Sequence, residues 1–150
     1  MRPEHWTTTA EPRTVRRPAT LVRGDSTDGR VAVVELEAVG GMEPPRHLHA
    51  NEDELLYVLE GELTVYIGEE VRRAAAGSCL FFSRGTEHGY AVESETARLL
   101  IVLTPAGLEE FLEETGASLH LEGIEHLIAL AARYGIAITG PRPSAGGCGR

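Results

Sequence analysis

The 150-residue sequence contains no lysine, and all 14 basic residues are arginine. This excludes a lysine Schiff base, a phosphate-binding GK[ST] loop and a Ser–Lys catalytic pair. Cysteine is nearly absent. Cys79 lies within an apolar run and Cys148 near the C-terminus, which makes neither a disulfide framework nor a CxxC metal knuckle. Cys79 is expected to be a buried, inert thiol. No apolar run approaches the roughly 20 residues that span a bilayer. Arg2, Glu4 and His5 introduce no apolar segment of the kind found in a secretory signal. The basic stripe with interleaved aromatics that marks a nucleic-acid surface is also missing, and the net charge is −9. What survives these exclusions is one acidic domain, expected in the cytoplasm, with neither nucleic acid nor membrane as a partner.

Hydrophobic residues make up 42% of the chain, enough for one domain with a core. Residues 1–18 are polar, with Pro3, Pro12, Pro18 and an Arg13, Arg16, Arg17 cluster. They read as an N-terminal arm, either solvated or packed on a partner subunit. From Ala19 onward short segments rich in Val, Ile, Leu and aromatics follow one another: Val31–Glu37, Glu54–Leu59, Glu62–Ile67, Ser78–Phe82 and Arg98–Thr104. Glycines and polar clusters separate them, which predicts an all-β sandwich or barrel over residues 19–104. After Thr104 the period changes. Thr104 and Pro105 read as an N-cap and first helical residue, Leu108, Phe111 and Leu112 as one helix face, and Gly116 as its stop. Ile124, Leu127, Ile128 and Ala131 predict a second helix ending at Gly135. Both helices, within residues 105–140, are expected to cover the sheet. Residues 141–150 read as a flexible Gly/Pro/Ser-rich tail. Leu55–Leu59 and Leu99–Leu103 are apolar on both strand faces, so the outer face must meet a helix or another subunit, and a homodimer is expected.

Four residues offer chemistry. His47 and His49, at i and i+2 on an extended strand, project from one face. Glu54 lies five residues beyond His49, an odd spacing that would put it on the opposite face of a straight strand. Ala50–Asp53 must therefore turn or bulge to bring it inside, and Asn51 and Asp53 suit a turn. His88, on another strand, could complete the set. Three imidazoles and a carboxylate suit one divalent transition metal: Fe, Mn, Ni, Cu, Co or Zn. His5, His120 and His126 read as structural or surface residues. Tyr57, Tyr66, Phe81, Phe82 and Tyr90 would line a substrate pocket only where they face inward. Arg46 either pairs with a substrate anion or ends a strand in solvent.

The spacing Gly41-(five residues)-His47-Leu48-His49-(four residues)-Glu54-(six residues)-Gly61 resembles the first motif of the cupin family. Gly77-(five residues)-Ser83-Arg84-Gly85-(two residues)-His88 resembles the second, with Ser83 where proline is usual and Val92 where asparagine is frequent. The resemblance covers about residues 20–104. It implies a double-stranded β-helix, or jelly-roll barrel, here with two C-terminal helices. It also implies a metal held by His47, His49, Glu54 and His88. Glu52 and Asp53 are alternative carboxylates, but Glu54 alone has the six-residue gap to Gly61. The segment from Leu103 to Pro141 is similar to the tail of small bacterial cupins grouped with quercetin dioxygenase-like proteins. The implied activity is a metal-dependent dioxygenase acting on a small enol or hydroxylated aromatic substrate. Glu54 would serve as ligand or as catalytic base for the substrate hydroxyl. One barrel hosts many chemistries, so an O2-independent isomerase, lyase or cyclase and a non-catalytic small-molecule binder stand as alternatives.

Overall fold

The computed structural model describes residues 18–116 and 123–146. All of the arm except Pro18, together with His120 and Cys148, lies outside the described residues. In chain order the elements are β1 (Ala19–Val22), β2 (Ala32–Val39), β3 (His47–His49), β4 (Asp53–Glu60), β5 (Glu62–Ile67), β6 (Glu70–Ala75), β7 (Cys79–Phe82), β8 (His88–Val92), β9 (Thr96–Thr104), α1 (Leu108–Gly116), α2 (Gly123–Arg133) and β10 (Ile136–Ile138). Two antiparallel five-stranded sheets result, ordered β1-β2-β9-β4-β7 and β10-β3-β8-β5-β6. From β2 to β9 the chain changes sheet at every connection except β5–β6, which gives the expected jelly-roll barrel.

Strand periodicity explains the two-layer packing. Ala97, Leu99, Ile101 and Leu103 of β9 are buried while the residues between them stay partly exposed. In β4, Glu54, Leu56 and Val58 turn inward in the same way. Leu56, Val58 and Leu99 from one sheet meet Leu63, Val65 and Val92 from the other. Each such side chain contributes about 1.5–3 kcal/mol of burial. The β4–β5 turn needs glycine: Gly61 has φ +91°, and a Cβ there would lie 2.6 Å from the Thr96 carbonyl oxygen.

Several local expectations change. Thr104 does not cap a helix. It ends β9 in register with Asp53, and the ladder takes the backbone that a cap would need. α1 begins at Leu108, and its start is tied down by buried Glu109, which accepts the amide hydrogens of Gly24 and Gly107. The helices do not cover the outer sheet face either. Leu108 and Ala131 pack with Ala32, Ile101, Leu103 and Ile136, so they close one end of the barrel. β10, inside the stretch read as helical, pairs with β3 and covers the edge of the His-bearing strand. The tail to Gly146 is bonded to the barrel: the Pro141 carbonyl accepts from the Arg46 amide, Arg142 donates to the Gly41 carbonyl, and Gly146 donates to Glu93.

Among the described residues nothing covers the outer face of the first sheet. Val33, Val102, Leu55 and Phe81 are cross-strand neighbours, and Leu100, Tyr57 and Cys79 form the next row. Cys79 is exposed, not buried, because it shares the outward face of β7 with Phe81. Phe81 is 57% exposed.

Candidate metal centre

Three strands bring the four sequence-selected residues together. β3 projects His47 and His49, and β8, in register with it at His47 and His88, supplies the third imidazole. The chain bends at Ala50 and Asn51 and crosses to the facing sheet, so Glu54 enters from β4 opposite the imidazoles. The odd spacing is thus resolved by a change of sheet. The turn after β7 fixes the geometry. The Gly85 amide donates to the His49 carbonyl at 2.7 Å, and Arg84 donates to Asp53 through its backbone and guanidinium. That pairing holds the Asp53 carboxyl down at about 2.

His49, Glu54 and His88 are buried. One ring nitrogen from each of His47, His49 and His88 lies within 4.8 Å of the others. His47 Nδ1 sits 2.8 Å from the Pro45 carbonyl and His88 Nδ1 3.0 Å from that of Thr86. A carbonyl only accepts, so both Nδ1 atoms carry the proton and both Nε2 atoms keep a free lone pair in the neutral ring. Phe82 stacks on His88 at 4.3 Å between centroids and fixes its plane. Glu54 Oε2 lies 3.4 Å from His49 Nδ1 and 3.5 Å from His88 Nε2. Ligands about 2.1 Å from one tetrahedral cation stand about 3.4 Å apart. His49 Nδ1 and His88 Nε2 are buried with no hydrogen-bond partner. Orphaned buried ring nitrogens converging on a carboxylate fit a divalent transition metal in donor type, number and spacing.

The protonation pattern suits ligation. Burial pushes His49 down to about 4, against the pull of Glu54, and burial with the neighbouring His88 lowers His47. Burial opposes charge on both Glu54 and His88, but their mutual contact overrides it, moving Glu54 down and His88 up. Their contact thus favours the ionised form of Glu54 and the protonated form of His88.

The four residues form the floor of a cavity of about 420 Å³. Its walls are mainly apolar: Leu36, Met42, Pro44, Phe82, Phe111 and Ile138 contribute. Of the aromatics singled out in the sequence, Phe82 and Tyr90 reach the cavity, whereas Tyr57 and Phe81 point outward. Arg46 is not available to a substrate anion. It turns to the outside, bonded to the Gly68 carbonyl and Glu87 and lying over the Tyr66 ring. Asp53 is engaged by Arg84, and Glu52 is buried without lining the cavity. His126 is exposed on α2. Sequence reasoning passed over Glu43, a buried carboxylate on the cavity wall. A charge between Gly41 and the prolines that precede the His-x-His pair was the available signal.

Residues 33–103 match the cupin domain family. Over 91 residues the chain is 30% identical to the quercetin 2,3-dioxygenase of Bacillus subtilis (strain 168), an alignment covering 61% of this chain and 27% of that protein. The chain thus spans about a quarter of that relative's length. Among solved structures, TT1209 from Thermus thermophilus is 29% identical with a TM-score of 0.51, over 65% of this chain and 90% of that one. KdgF from Halomonas sp. shares the fold at 19% identity and a TM-score of 0.55, over 60% and 78% of the respective chains. No helix among the described residues is long and apolar enough to cross a membrane. The two spaced motifs, the double-stranded barrel they build and the match of residues 33–103 to the cupin domain family together support the cupin superfamily for this chain.

Proposed function

We propose that the chain binds one divalent transition metal on His47, His49, Glu54 and His88 and acts as a dioxygenase on a small enol or hydroxylated aromatic compound. The carrying observation is the set of orphaned, buried ring nitrogens beside Glu54 at the floor of an apolar cavity. When bound, the metal supplies Lewis acidity toward a substrate oxygen and a redox centre for O2. The protein supplies the remainder. The Pro45 and Thr86 carbonyls hold the imidazole tautomers of His47 and His88. Glu54, kept ionised, takes the proton of the substrate hydroxyl at an oxygen already facing the imidazoles. Leu36, Phe82, Phe111 and Ile138 exclude water and favour a planar apolar substrate. The resemblance in sequence to a quercetin 2,3-dioxygenase supports this substrate class.

The test is O2 uptake by metal-loaded protein offered flavonols, acireductones and catechols. Uptake with at least one, lost in Glu54→Ala, is expected. Absence of uptake with every compound would remove the dioxygenase reading, and turnover under anaerobic conditions would replace it with Lewis-acid chemistry.

The protein is further proposed to act as a homodimer through the open outer face of the first sheet. Val33, Val102, Leu55 and Phe81 form an apolar row, and a second copy offers the same row about a twofold axis. Light scattering should give a dimer, and Phe81→Asp should give a monomer of unchanged metal content. A wild-type monomer at micromolar concentration would contradict the proposal.

A further inference from the structure

The cavity has a second polar pole. Glu43 is 3% exposed and lines the cavity wall. Its Oε1 accepts the Val92 amide hydrogen at 2.9 Å, while its Oε2 is buried with no hydrogen-bond partner. A carboxylate oxygen in such a place is costly unless something donates to it. Val92 lies four residues beyond His88 on β8, roughly 13 Å along an extended strand. Tyr90, between them, also lines the cavity, and burial together with the charges of Glu54 and Glu43 pushes its hydroxyl well up. Glu54 thus stands at the His-lined floor, and Glu43, from the segment between β2 and β3, lines the same cavity where it is bonded to the Val92 end of β8.

We infer that the cavity takes an elongated, mainly apolar ligand that presents a metal-binding oxygen to His47, His49, Glu54 and His88 and, at its far end, a hydrogen-bond donor to Glu43 Oε2. Glu43 is then a specificity residue: its free oxygen selects ligands with a distal N–H or O–H group over those that end in an ether or a tertiary amine. The inference rests on the metal-centre reading above and narrows its substrate class. It gives a reason for placing an acidic residue in an apolar wall, where leucine or methionine would pack without leaving an orphaned acceptor.

The test uses full-length protein loaded with Zn2+, which supports no redox turnover, with zinc stoichiometry measured first. Three probes share one chelating end: 3-hydroxyflavone, 4′-amino-3-hydroxyflavone and 4′-dimethylamino-3-hydroxyflavone. Calorimetry should show the amino compound binding about tenfold or more tighter than the dimethylamino compound, the scale of one charge-assisted hydrogen bond. Glu43→Gln keeps an oxygen for the Val92 amide but replaces the free acceptor with a donor. It should erase that preference while leaving the affinity for 3-hydroxyflavone and the melting temperature unchanged, which a purely structural role for Glu43 would not produce. The two-probe comparison in the wild type decides the matter even if the variant fails to fold. Equal affinities in the wild type, a preference that survives Glu43→Gln, or no binding of any probe by zinc-loaded protein would each overturn the inference while the metal centre stands. Failure to take up zinc would instead bring down the metal-centre reading, and the inference with it.

Discussion

The two ends of the barrel interior are built from the same strands with opposite results. At one end Val58, Leu63, Val65 and Leu99 have no exposed surface and interlock across the two sheets. At the other, the same alternation on β3, β4 and β8 turns His47, His49, Glu54 and His88 inward, and two of their nitrogens remain unpaired. A single β4 serves both ends, with Glu54 at one and Val58 at the other. The packed end holds the barrel together. The metal-site end leaves buried polar groups unsatisfied, which destabilises a fold unless a ligand completes them. Stability and function are thereby assigned to different stretches of the same strands, and the two ends should respond differently to the same perturbations.

The largest effect is expected at the packed end. Leu99→Ala should lower the unfolding free energy by about 2–5 kcal/mol, measured by denaturant titration, and leave metal stoichiometry intact. A loss of metal in that variant would show that the two ends are not separable. Next is the response to acid. The ordinary histidine value is about 6.5 and folded His49 sits at about 4, so between these values the unfolded chain binds a proton that the folded protein does not. The His49 contribution to metal-free stability should therefore be full above about pH 6.5 and fall by about 3 kcal/mol as pH drops toward 4. His88 works in the opposite direction, since its raised value contributes stability that is lost as pH rises. A metal-free stability curve that is flat from pH 6.5 to 4 would contradict the burial assigned to His49.

Metal itself should tie the two ends together. Zinc at a hundred times its dissociation constant should raise stability by about 2.7 kcal/mol. Leu99→Ala should gain the same increment and His49→Ala none, as read from paired melts with and without zinc. The smallest effect is expected from Asp53→Asn, which weakens the clamp that Arg84 places on the turn carrying Gly85. Metal affinity should fall by less than about tenfold, because the Gly85 bond to the His49 carbonyl remains. A complete loss of metal would mean that Asp53 itself is a ligand.

The sequence exposed one part of this arrangement better than the rest. The barrel was legible because short segments rich in Val, Ile and Leu, among them β4, β5 and β9, stand between glycines and polar clusters, and the four site residues because their spacing follows a motif. β6 carried no such signal: Glu70, Val71, Arg72 and Arg73 are all exposed, so its apolar pattern is nearly absent. β10 has three residues and exists by pairing with a strand nearly ninety positions earlier, which no local pattern announces. Thr104-Pro105 imitates a helix start, but ladder pairing with β4 prevailed over the capping preference. Cys79 sits in an apolar run that suggested burial, yet strand alternation points it outward. Glu43 belongs to no spacing pattern, and its role depends on which cavity its side chain meets.

Metal analysis of protein purified without chelators, repeated on His49→Ala and Glu54→Ala, bears most directly on the proposed centre. About one transition-metal ion per chain in the wild type and a loss of occupancy in both variants is the predicted result. Occupancy unchanged in both variants would show that these residues do not hold the metal.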